Sequence, residues 1–243
     1  LIGCGSRGSG AVRDAFDAKG GPVKLVAMAD LFENRLLTAQ KNLVTAFGDR
    51  IDVPPEQRFI GFDAFKQAID CLRPGRDVAM LTGFAAFRPG QLEYAVQKGV
   101  HVFMEKSFAA DPVGVRRVIQ AGAEADQKGL KIAAGLQCRH SVNRQELIRR
   151  IRDGQLGDIH LIRTYRMEAS GPLRPRPAAT RELEWQLRNN IKFLWVSGGL
   201  WVEMDIHQVD EVCWLKEQWP VSAHGVGGRA ANNVDLSQNL DSS

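Results

Sequence analysis

Several features that would mark particular classes of protein are missing from this sequence. Its four cysteines, Cys4, Cys71, Cys138 and Cys213, lie far apart and form no CxxC pair. Neither a disulfide framework nor a zinc knuckle is therefore indicated. No apolar run approaches the ~20 residues that a transmembrane helix needs, and no signal peptide is visible. We expect a cytoplasmic protein, with an exported parent left open.

Clusters of charge are missing as well. The net charge is +4, and the lysines and arginines are scattered, with short excesses such as Arg149-Arg150. This distribution indicates solvated faces, so we expect neither a nucleic-acid partner nor a membrane partner. What is present is ordinary globular composition: 243 residues, 44% hydrophobic and 25% charged. That composition fits one or two domains with a sizeable core.

The first part of the chain, residues 1–135, alternates short apolar runs with helical patterns. Strands are predicted at 24–30, 77–82, 100–106 and 131–137. A helix is predicted at 33–47, with one apolar side made of Leu36, Leu37, Leu43, Val44 and Phe47. A second helix is predicted after an Asp111 N-cap, with a face made of Val115, Val118, Ile119 and Gly122. The alternation predicts an α/β fold with a doubly wound parallel sheet.

Residues 136–243 have a different character and are predicted to form a second, α+β domain. Helices are predicted at 141–153 and near 201–216. Strands are predicted at 158–167, where two unlike faces alternate as in an antiparallel or mixed sheet, and at 221–229. Residues 170–180 hold three prolines and indicate an irregular loop.

The stretch Gly3-Cys4-Gly5-Ser6-Arg7-Gly8 has the glycine spacing of a dinucleotide-binding loop. Its glycines permit a tight turn and close approach of pyrophosphate to a helix N-terminus. A predicted strand ends at Asp30, 22 residues after Gly8. A carboxylate there accepts hydrogen bonds from ribose hydroxyls and repels a 2′-phosphate, which favours NAD over NADP. Arg7 or Arg35 offers an alternative way to accommodate a phosphate.

Only Leu1 and Ile2 precede this loop, whereas a leading strand should supply about five residues. That strand is normally central in the sheet. We therefore expect an incomplete first strand, a poorly anchored loop, weak or absent activity, and a parent protein that extends at both ends.

Two groups of titratable residues are candidates for a functional site, one at the end of a predicted strand and one on a predicted helix. Glu105 and Lys106 come at the carboxyl end of a parallel strand, where ligands bind in open α/β sheets. Glu203, His207 and Asp210 are spaced by four and then three residues, which places them on one helix face. A solvated acidic stripe is the alternative interpretation. Glu and His four apart also suit a metal ion, but no clear third ligand is present, and we expect no metal.

These motifs together resemble the glucose–fructose oxidoreductase / inositol dehydrogenase / MocA-like family. The resemblance rests on the glycine loop, Asp30, GVHVFMEKS, GLQCRH and SGGLWVEMDIHQVDEVCWL, and spans residue 2 to about 229. GCGSRGSG, ADLFENR, FRP and VEMDIH are similar to members abundant in planctomycete-type bacteria. The resemblance implies a Rossmann domain and a C-terminal domain with a mostly antiparallel, open-faced sheet that often mediates oligomerisation. It also implies hydride transfer between NAD(P) and a sugar, polyol or related carbohydrate.

The resemblance assigns roles residue by residue. Lys106 corresponds to the lysine of the family's Glu-Lys-Pro motif, although Ser107 replaces the proline. Glu203 and His207 correspond to the later Asp-x-x-x-His motif, with Glu in place of the usual Asp. The expected cofactor contacts are Gly3, Gly5, Ser6, Arg7, Gly8, Asp30, Thr82, Glu105 and Gln137.

The hypothesis for catalysis is that His207 acts as general base, Lys106 polarises the same substrate oxygen, and Glu203 orients or charge-balances the pair. A histidine near pKa ~6.5 suits that task at neutral pH. Lys106, placed beside a cationic nicotinamide, is the alternative base, so the two roles remain exchangeable. Weaker candidates for a sugar pocket are Arg139, His140, Tyr165, Trp185 and Arg188. Two alternative functions stay open: glycoside cleavage through transient oxidation, and NAD binding without catalysis.

Overall fold

The structure is a computed structural model and describes residues 1–167 and 172–227. The chain divides into two compact units. Unit 1 comprises Leu1–Gly135 and Trp195–Gly198; unit 2 comprises Leu136–Leu194 and Gly199–Ser243. The short second segment is hydrogen-bonded to the rest of unit 1, since the Ala86 N–H donates to the Val196 carbonyl at 3.0 Å.

Strands and helices alternate through unit 1. The strands are β1 (Met28–Asp30), β2 (Arg58–Ile60), β3 (Val78–Leu81), β4 (His101–Met104) and β5 (Ile132–Ala134). The helices are α1 (Ser6–Asp17), α2 (Glu33–Phe47), α3 (Ala64–Asp70), α4 (Arg88–Gln97) and α5 (Pro112–Gln127), and α8 (Leu194–Ser197) lies at the boundary with unit 2. The predicted α/β class is confirmed.

All strand pairs in unit 1 are parallel. β1 pairs with β2, and β3, β4 and β5 pair in that order. Ile2 forms parallel bridges to both Ala29 in β1 and Leu81 in β3. With the Leu1–Ile2 segment counted as first in the chain, the order is 3-2-1-4-5-6, the arrangement of a doubly wound dinucleotide-binding fold.

The sheet has a hydrophobic core on each face. Since successive residues of a strand point to opposite faces, Leu1 and Met28 pack on one side, and Ile2 and Ala29 on the other. On the first side the strands meet α1 and α2, through residues such as Val12, Phe16, Leu36 and Leu43. On the second side they meet α3, α4 and α5, through residues such as Ile69, Leu92 and Ala121. Helices therefore cover both faces, as predicted.

The two residues before the glycine loop anchor it firmly, contrary to the expectation of a poorly held loop. The Ile2 N–H donates to the Met80 carbonyl at 2.9 Å, and the Thr82 N–H donates to the Ile2 carbonyl at 2.8 Å. The Ala29 N–H donates to the Leu1 carbonyl at 2.8 Å. Pairing with a strand on each side lets two residues fix where the loop begins.

The predicted helix faces are partly wrong. In α2, Leu36 and Leu43 are buried, but Leu37 and Val44 are 47% and 45% exposed. Each residue of a helix turns by about 100°, so adjacent apolar residues cannot both point to one core. In α5 the predicted Asp111 N-cap is confirmed, since its carboxylate accepts the Gly114 N–H at 2.7 Å.

The buried face of α5 also differs from the prediction. Its fully buried residues are small, namely Gly114, Ala121 and Ala125. Of the predicted face, Val118 is partly buried against the core, whereas Val115 and Ile119 are exposed. α5 packs against α4. Small side chains allow two helix backbones to approach closely, and this requirement outweighs the hydrophobicity of the valine and isoleucine.

Over its described residues, unit 2 contains helices and no strand. Its helices are α6 (Val142–Arg152), α7 (Glu182–Arg188) and α9 (Ile206–Lys216), with a π-helix at Trp201–Asp205 and 3-10 turns at Gln137–His140 and Asn190–Lys192. The predicted helices at 141–153 and 201–216 are confirmed, although the second begins with π geometry. Across residues 1–167 and 172–227, no helix is long and apolar enough to cross a bilayer.

The predicted strands of unit 2 are wrong where the structure describes them. Residues 158–167 and 221–227 form no strand, and the last two residues of the second predicted strand lie outside the described part. Leu161, Tyr165 and Met167 are 69%, 71% and 89% exposed. Alternation defines two faces, but a strand also needs a neighbour for its backbone hydrogen bonds. Among the described residues no strand pairs with either segment, so the expected antiparallel sheet is not found there.

Candidate functional site

The glycine loop of unit 1 brings three backbone segments into close contact. Gly3 has φ +92°, and a Cβ built on it would lie 2.5 Å from the Gly83 nitrogen. A Cβ on Gly8 would overlap the Gly3 carbonyl oxygen. A side chain at either position would push the loop away from the end of β3. The first and third glycines of the motif are therefore required by packing within the protein.

Gly5 stands in a different environment. A Cβ on it would meet nothing within 4 Å, and α1 begins at the next residue, Ser6. The first N–H groups of a helix have no acceptor within it and carry partial positive charge. The open space beside Gly5 thus lies at a helix N-terminus, where an anion such as a pyrophosphate is favoured.

Thr82 fixes this loop from the end of β3. Its hydroxyl donates to the Gly3 carbonyl at 2.6 Å, and it also lies 3.1 Å from the Ile2 carbonyl. Behind it, the buried Arg88 donates to the Gly83 carbonyl. Thr82, which we expect to contact the cofactor, is therefore hydrogen-bonded to the glycine loop itself.

Asp30 ends β1 with its carboxylate held by two backbone groups. The Cys4 N–H donates to one carboxylate oxygen at 2.6 Å, and the Phe32 N–H to the other at 2.8 Å. Asp30 is only 8% exposed. Each oxygen has a second lone pair, so the carboxylate is fixed beside the loop with capacity to accept hydroxyl donors.

Cys4 is buried next to this carboxylate. Burial, followed by the nearby Asp30 charge, raises the pKa of the Cys4 thiol to about 12. The thiol lies 3.4 Å from the Ala29 carbonyl. It therefore stays protonated at neutral pH and acts as a small packing group rather than a nucleophile.

Arg7 connects the glycine loop with the end of β4. Its Nε lies 3.1 Å from a carboxylate oxygen of Glu105, and its Nη2 donates to Asp14 at 2.6 Å. Glu105 is 9% exposed. A Cβ on Gly135 would lie 2.6 Å from the second Glu105 oxygen. The carboxylate is consequently enclosed between a guanidinium and the backbone after β5.

Lys106 follows Glu105 at the carboxyl end of β4. The Glu105 N–H donates to the Leu81 carbonyl at 2.9 Å, which aligns this end with that of β3. Lys106 is half-buried, and the next residue, Ser107, is fully buried. Lys106 thus lies at the edge of the sheet where ligands bind in this fold.

The second predicted group lies in unit 2. Glu203 is in the π-helix, and His207 is on α9, 6% exposed. Asp210, one turn further on, is held by Arg139: Nε donates to both carboxylate oxygens at 2.9 Å, and Nη2 to one of them at 2.7 Å. The Asp210 charge is therefore balanced by Arg139 within the unit.

Other candidates from the sequence are placed as follows. Gln137 is exposed and begins the 3-10 turn that also contains Arg139. Trp185 is buried and donates its indole N–H to the Arg174 carbonyl at 2.6 Å. Arg188 pairs with Glu184 at 2.8 Å. Over the described ranges, no group of three His, Cys, Asp or Glu residues is placed to hold a metal ion.

Sequence reasoning missed the contacts that join these elements. The Arg7–Glu105 and Arg139–Asp210 ion pairs link residues that are far apart in the chain, and no local sequence pattern predicts such pairs. Gly135 had a weak signal, since a glycine that follows an apolar strand indicates close approach of another backbone or side chain.

Comparison with solved structures gives dehydrogenases of similar fold. The myo-inositol 2-dehydrogenase from Lactobacillus plantarum matches with TM-score 0.64 at 23% identity, over 88% of this chain and 54% of that chain. The scyllo-inositol dehydrogenase from Lactobacillus casei with bound NAD(H) and scyllo-inositol matches with TM-score 0.61 at 24% identity, over 88% and 54%. The WlbA dehydrogenase from Bordetella pertussis, in complex with NADH and UDP-GlcNAcA, matches with TM-score 0.59 at 19% identity, over 88% and 54%.

This likeness confirms, at the level of fold, the resemblance to inositol dehydrogenases and related oxidoreductases. The chain spans about half the length of these solved structures. No protein-family profile and no curated protein matches the sequence.

Proposed function

We propose that this chain belongs to an NAD-dependent oxidoreductase that transfers a hydride between nicotinamide and a hydroxyl of a sugar, polyol or related carbohydrate. The observation that carries the proposal is the cradle in unit 1. There the open space at Gly5, the N-terminus of α1 and the fixed carboxylate of Asp30 lie together. The solved structures of similar fold include two with NAD(H) or NADH bound.

The residues of the cradle fit a dinucleotide. The N–H groups at the start of α1 would bind the pyrophosphate, and the space at Gly5 would let it approach the backbone. Asp30 would accept the ribose hydroxyls, and its charge would oppose a 2′-phosphate, which favours NAD over NADP. Glu105 and Gln137 complete the proposed set of cofactor-binding residues.

When bound, nicotinamide supplies the hydride chemistry, and the protein handles the proton of the reacting hydroxyl. We assign that task to His207 and Lys106, the first as general base and the second as the group that binds and polarises the oxygen. Glu203 would orient or charge-balance them. A half-buried lysine at a strand end and a buried histidine on a helix suit these roles.

The carbohydrate substrate class rests on the similar structures, which include two inositol dehydrogenases and a dehydrogenase in complex with UDP-GlcNAcA. We add two further parts of the proposal: a homo-oligomeric parent, which rests on the family resemblance, and a cytoplasmic location. Light scattering after size-exclusion chromatography tests the first of them.

A matched pair of glycine variants tests the cradle. A Cβ meets nothing within 4 Å at either Gly5 or Gly20, so Gly5→Val and Gly20→Val should both fold. NADH fluorescence titration should show binding lost in Gly5→Val and unchanged in Gly20→Val. Equal binding by the two variants would remove the cradle from the proposal.

Turnover assays with inositols and nucleotide sugars then separate the functions. Accumulation of NADH supports the oxidoreductase. A cleaved sugar without net NADH supports glycoside cleavage through transient oxidation. NAD binding without any turnover supports a protein that only binds the dinucleotide.

A further inference from the structure

Three arginines of unit 2 hold helix α9 from one side. Arg139, in the 3-10 turn, binds Asp210, and Arg144 on α6 binds Glu211. Arg152, at the end of α6, donates to the Trp214 carbonyl and pairs with Glu217 at 3.1 Å. These contacts follow α9 over about two turns, and they join it to the segment that begins at Gln137.

The Arg139–Asp210 pair differs from the others in burial and geometry. The Asp210 side chain is 10% exposed, compared with 26% for Glu211. Arg139 donates three hydrogen bonds to it, and its guanidinium also lies 5.6 Å from the ring centre of Trp214. The pKa of Arg139 is raised, and these hydrogen bonds to Asp210 are the main reason. A forked, partly buried arginine pair fixes geometry far better than an exposed pair does.

The Arg139–Asp210 pair holds α9 close to the proposed catalytic residue, His207. Asp210 lies three residues after His207, which is about one helical turn. His207 itself follows directly on the π-helix at Trp201–Asp205, and a π-helix has a less regular hydrogen-bond pattern than an α-helix. The start of α9 therefore depends on tertiary contacts to define its rotation, and the Arg139–Asp210 pair is the most buried of the three arginine contacts.

We propose that the Arg139–Asp210 pair is a positioning device that sets the rotation of α9 and thereby the orientation of the His207 ring relative to the Gln137 turn. Arg139 and Asp210 are positioning residues in this scheme, and neither acts on substrate. The proposal rests on the proposed function, since it assumes that His207 takes part in the chemistry.

The test compares the buried pair with its exposed neighbour in the full chain. Asp210→Asn and Arg139→Gln each break the buried pair, Asp210→Asn/Arg139→Gln removes both charges, and Glu211→Gln breaks the exposed pair as the control. The readout that needs no cofactor is the NMR signal of the His207 ring, assigned by its absence in His207→Gln. Thermal melting checks that each variant is folded.

We expect both single variants of the buried pair to shift the His207 signal in the same direction and to broaden it. The double variant should resemble either single one, because residues that act as a unit are not additive. Glu211→Gln should leave the signal in place. An unmoved signal in Asp210→Asn would overturn the proposal. Shifts of opposite sign in the two single variants would also overturn it, because that result indicates a field effect of the charge and not a change of position.

Kinetics gives the second readout. With a substrate found as above, Asp210→Asn should lower kcat about tenfold and leave NAD affinity unchanged, because misplacing a catalytic group by a fraction of an ångström has effects of this order. Glu211→Gln should keep kcat within about twofold. Equal losses in the two variants would contradict the positioning role. Absence of carbohydrate turnover in a wild-type protein that spans the full length of the similar structures would contradict the proposed function, and the His207 signal still decides the structural claim.

Discussion

The glycine loop of unit 1 and helix α9 of unit 2 both carry proposed functional residues, but they are held in different ways. The loop is fixed by backbone: Gly3 and Gly8 touch neighbouring main chain, and Asp30 accepts two backbone N–H groups. Helix α9 is fixed by side chains, through the carboxylate of Asp210 and the guanidinium of Arg139. A glycine packed against neighbouring backbone leaves no room for a Cβ, whereas the two side chains of an ion pair can change their conformation. Substitutions in the loop should therefore have larger effects than substitutions around α9.

The largest effect is expected for Gly3→Ala. The positive φ disfavours alanine, and its Cβ would lie 2.5 Å from a backbone nitrogen. Strain and overpacking together should lower the free energy of unfolding by about 4 kcal/mol, and NAD binding should be lost. Urea denaturation measures the first effect, with Gly20→Ala as the control. A loss below about 1 kcal/mol would contradict the tight packing of the loop.

A smaller effect is expected for Gly135→Ala, because its shortest Cβ contact is with the end of the Glu105 side chain at 2.6 Å, and the Glu105 Cα lies further away at 3.1 Å. Displacing this carboxylate weakens its pairing with Arg7, and we expect a loss of about 1–3 kcal/mol in urea denaturation.

Truncation of the displaced side chain sharpens this result. The double variant Gly135→Ala/Glu105→Ala should be more stable than the Gly135→Ala variant, since the shorter contact, with the carboxylate, is removed and only the 3.1 Å contact with the Glu105 Cα remains. Gly122→Ala on α5, where a Cβ meets nothing within 4 Å, is the control and should not destabilise the protein. A double variant less stable than Gly135→Ala would show that the clash is not the cause.

Thr82→Val should have a moderate effect in the same region. It removes the hydroxyl that donates to the Gly3 carbonyl at 2.6 Å, and the loss of one such bond costs about 1 kcal/mol. Calorimetry should also show weaker NAD binding, because the loop is less well held. Thr45→Val removes an exposed hydroxyl–carbonyl bond on α2 and should leave NAD affinity unchanged. Equal NAD affinity in the two variants would argue against Thr82 as a support of the loop.

The smallest effect is expected for the exposed charges of α6. Hydrogen bonds from Arg149 and Arg150 lower the pKa of Glu146 to about 2. Because this folded value lies below the unfolded value of ~4.3, the stabilisation is full above about pH 5 and is lost as pH falls through about 2. Melting temperatures between these limits should depend slightly less on pH in Glu146→Gln than in wild type. The exposed Glu56 provides the control, and a Glu56→Gln variant with the same change would refute the assignment.

The difference between the two regions also explains what the sequence could predict. The glycine spacing and Asp30 were predictable because a tight turn and a strand end are local requirements. The anchoring of Leu1 and Ile2 was not, since it depends on strands about 27 and 79 residues further along the chain.

The same limit applies to unit 2. The strand predicted at 158–167 was wrong because alternation says nothing about a pairing neighbour. The spacing of Glu203, His207 and Asp210 predicted a shared helix face, but no pattern indicated that Arg139, 71 residues away, would neutralise Asp210. Ion pairs between distant segments depend on the fold, so they cannot be predicted from the sequence before the fold is known.

The measurement to make first is a calorimetric titration of the unaltered 243-residue chain with NAD, with NADP run in parallel. We expect NAD to bind at one site per chain and NADP to bind more weakly, because the Asp30 carboxylate opposes a 2′-phosphate. Absence of NAD binding would show that unit 1 is not a dinucleotide site, and the roles proposed for Lys106 and His207 would fall with it.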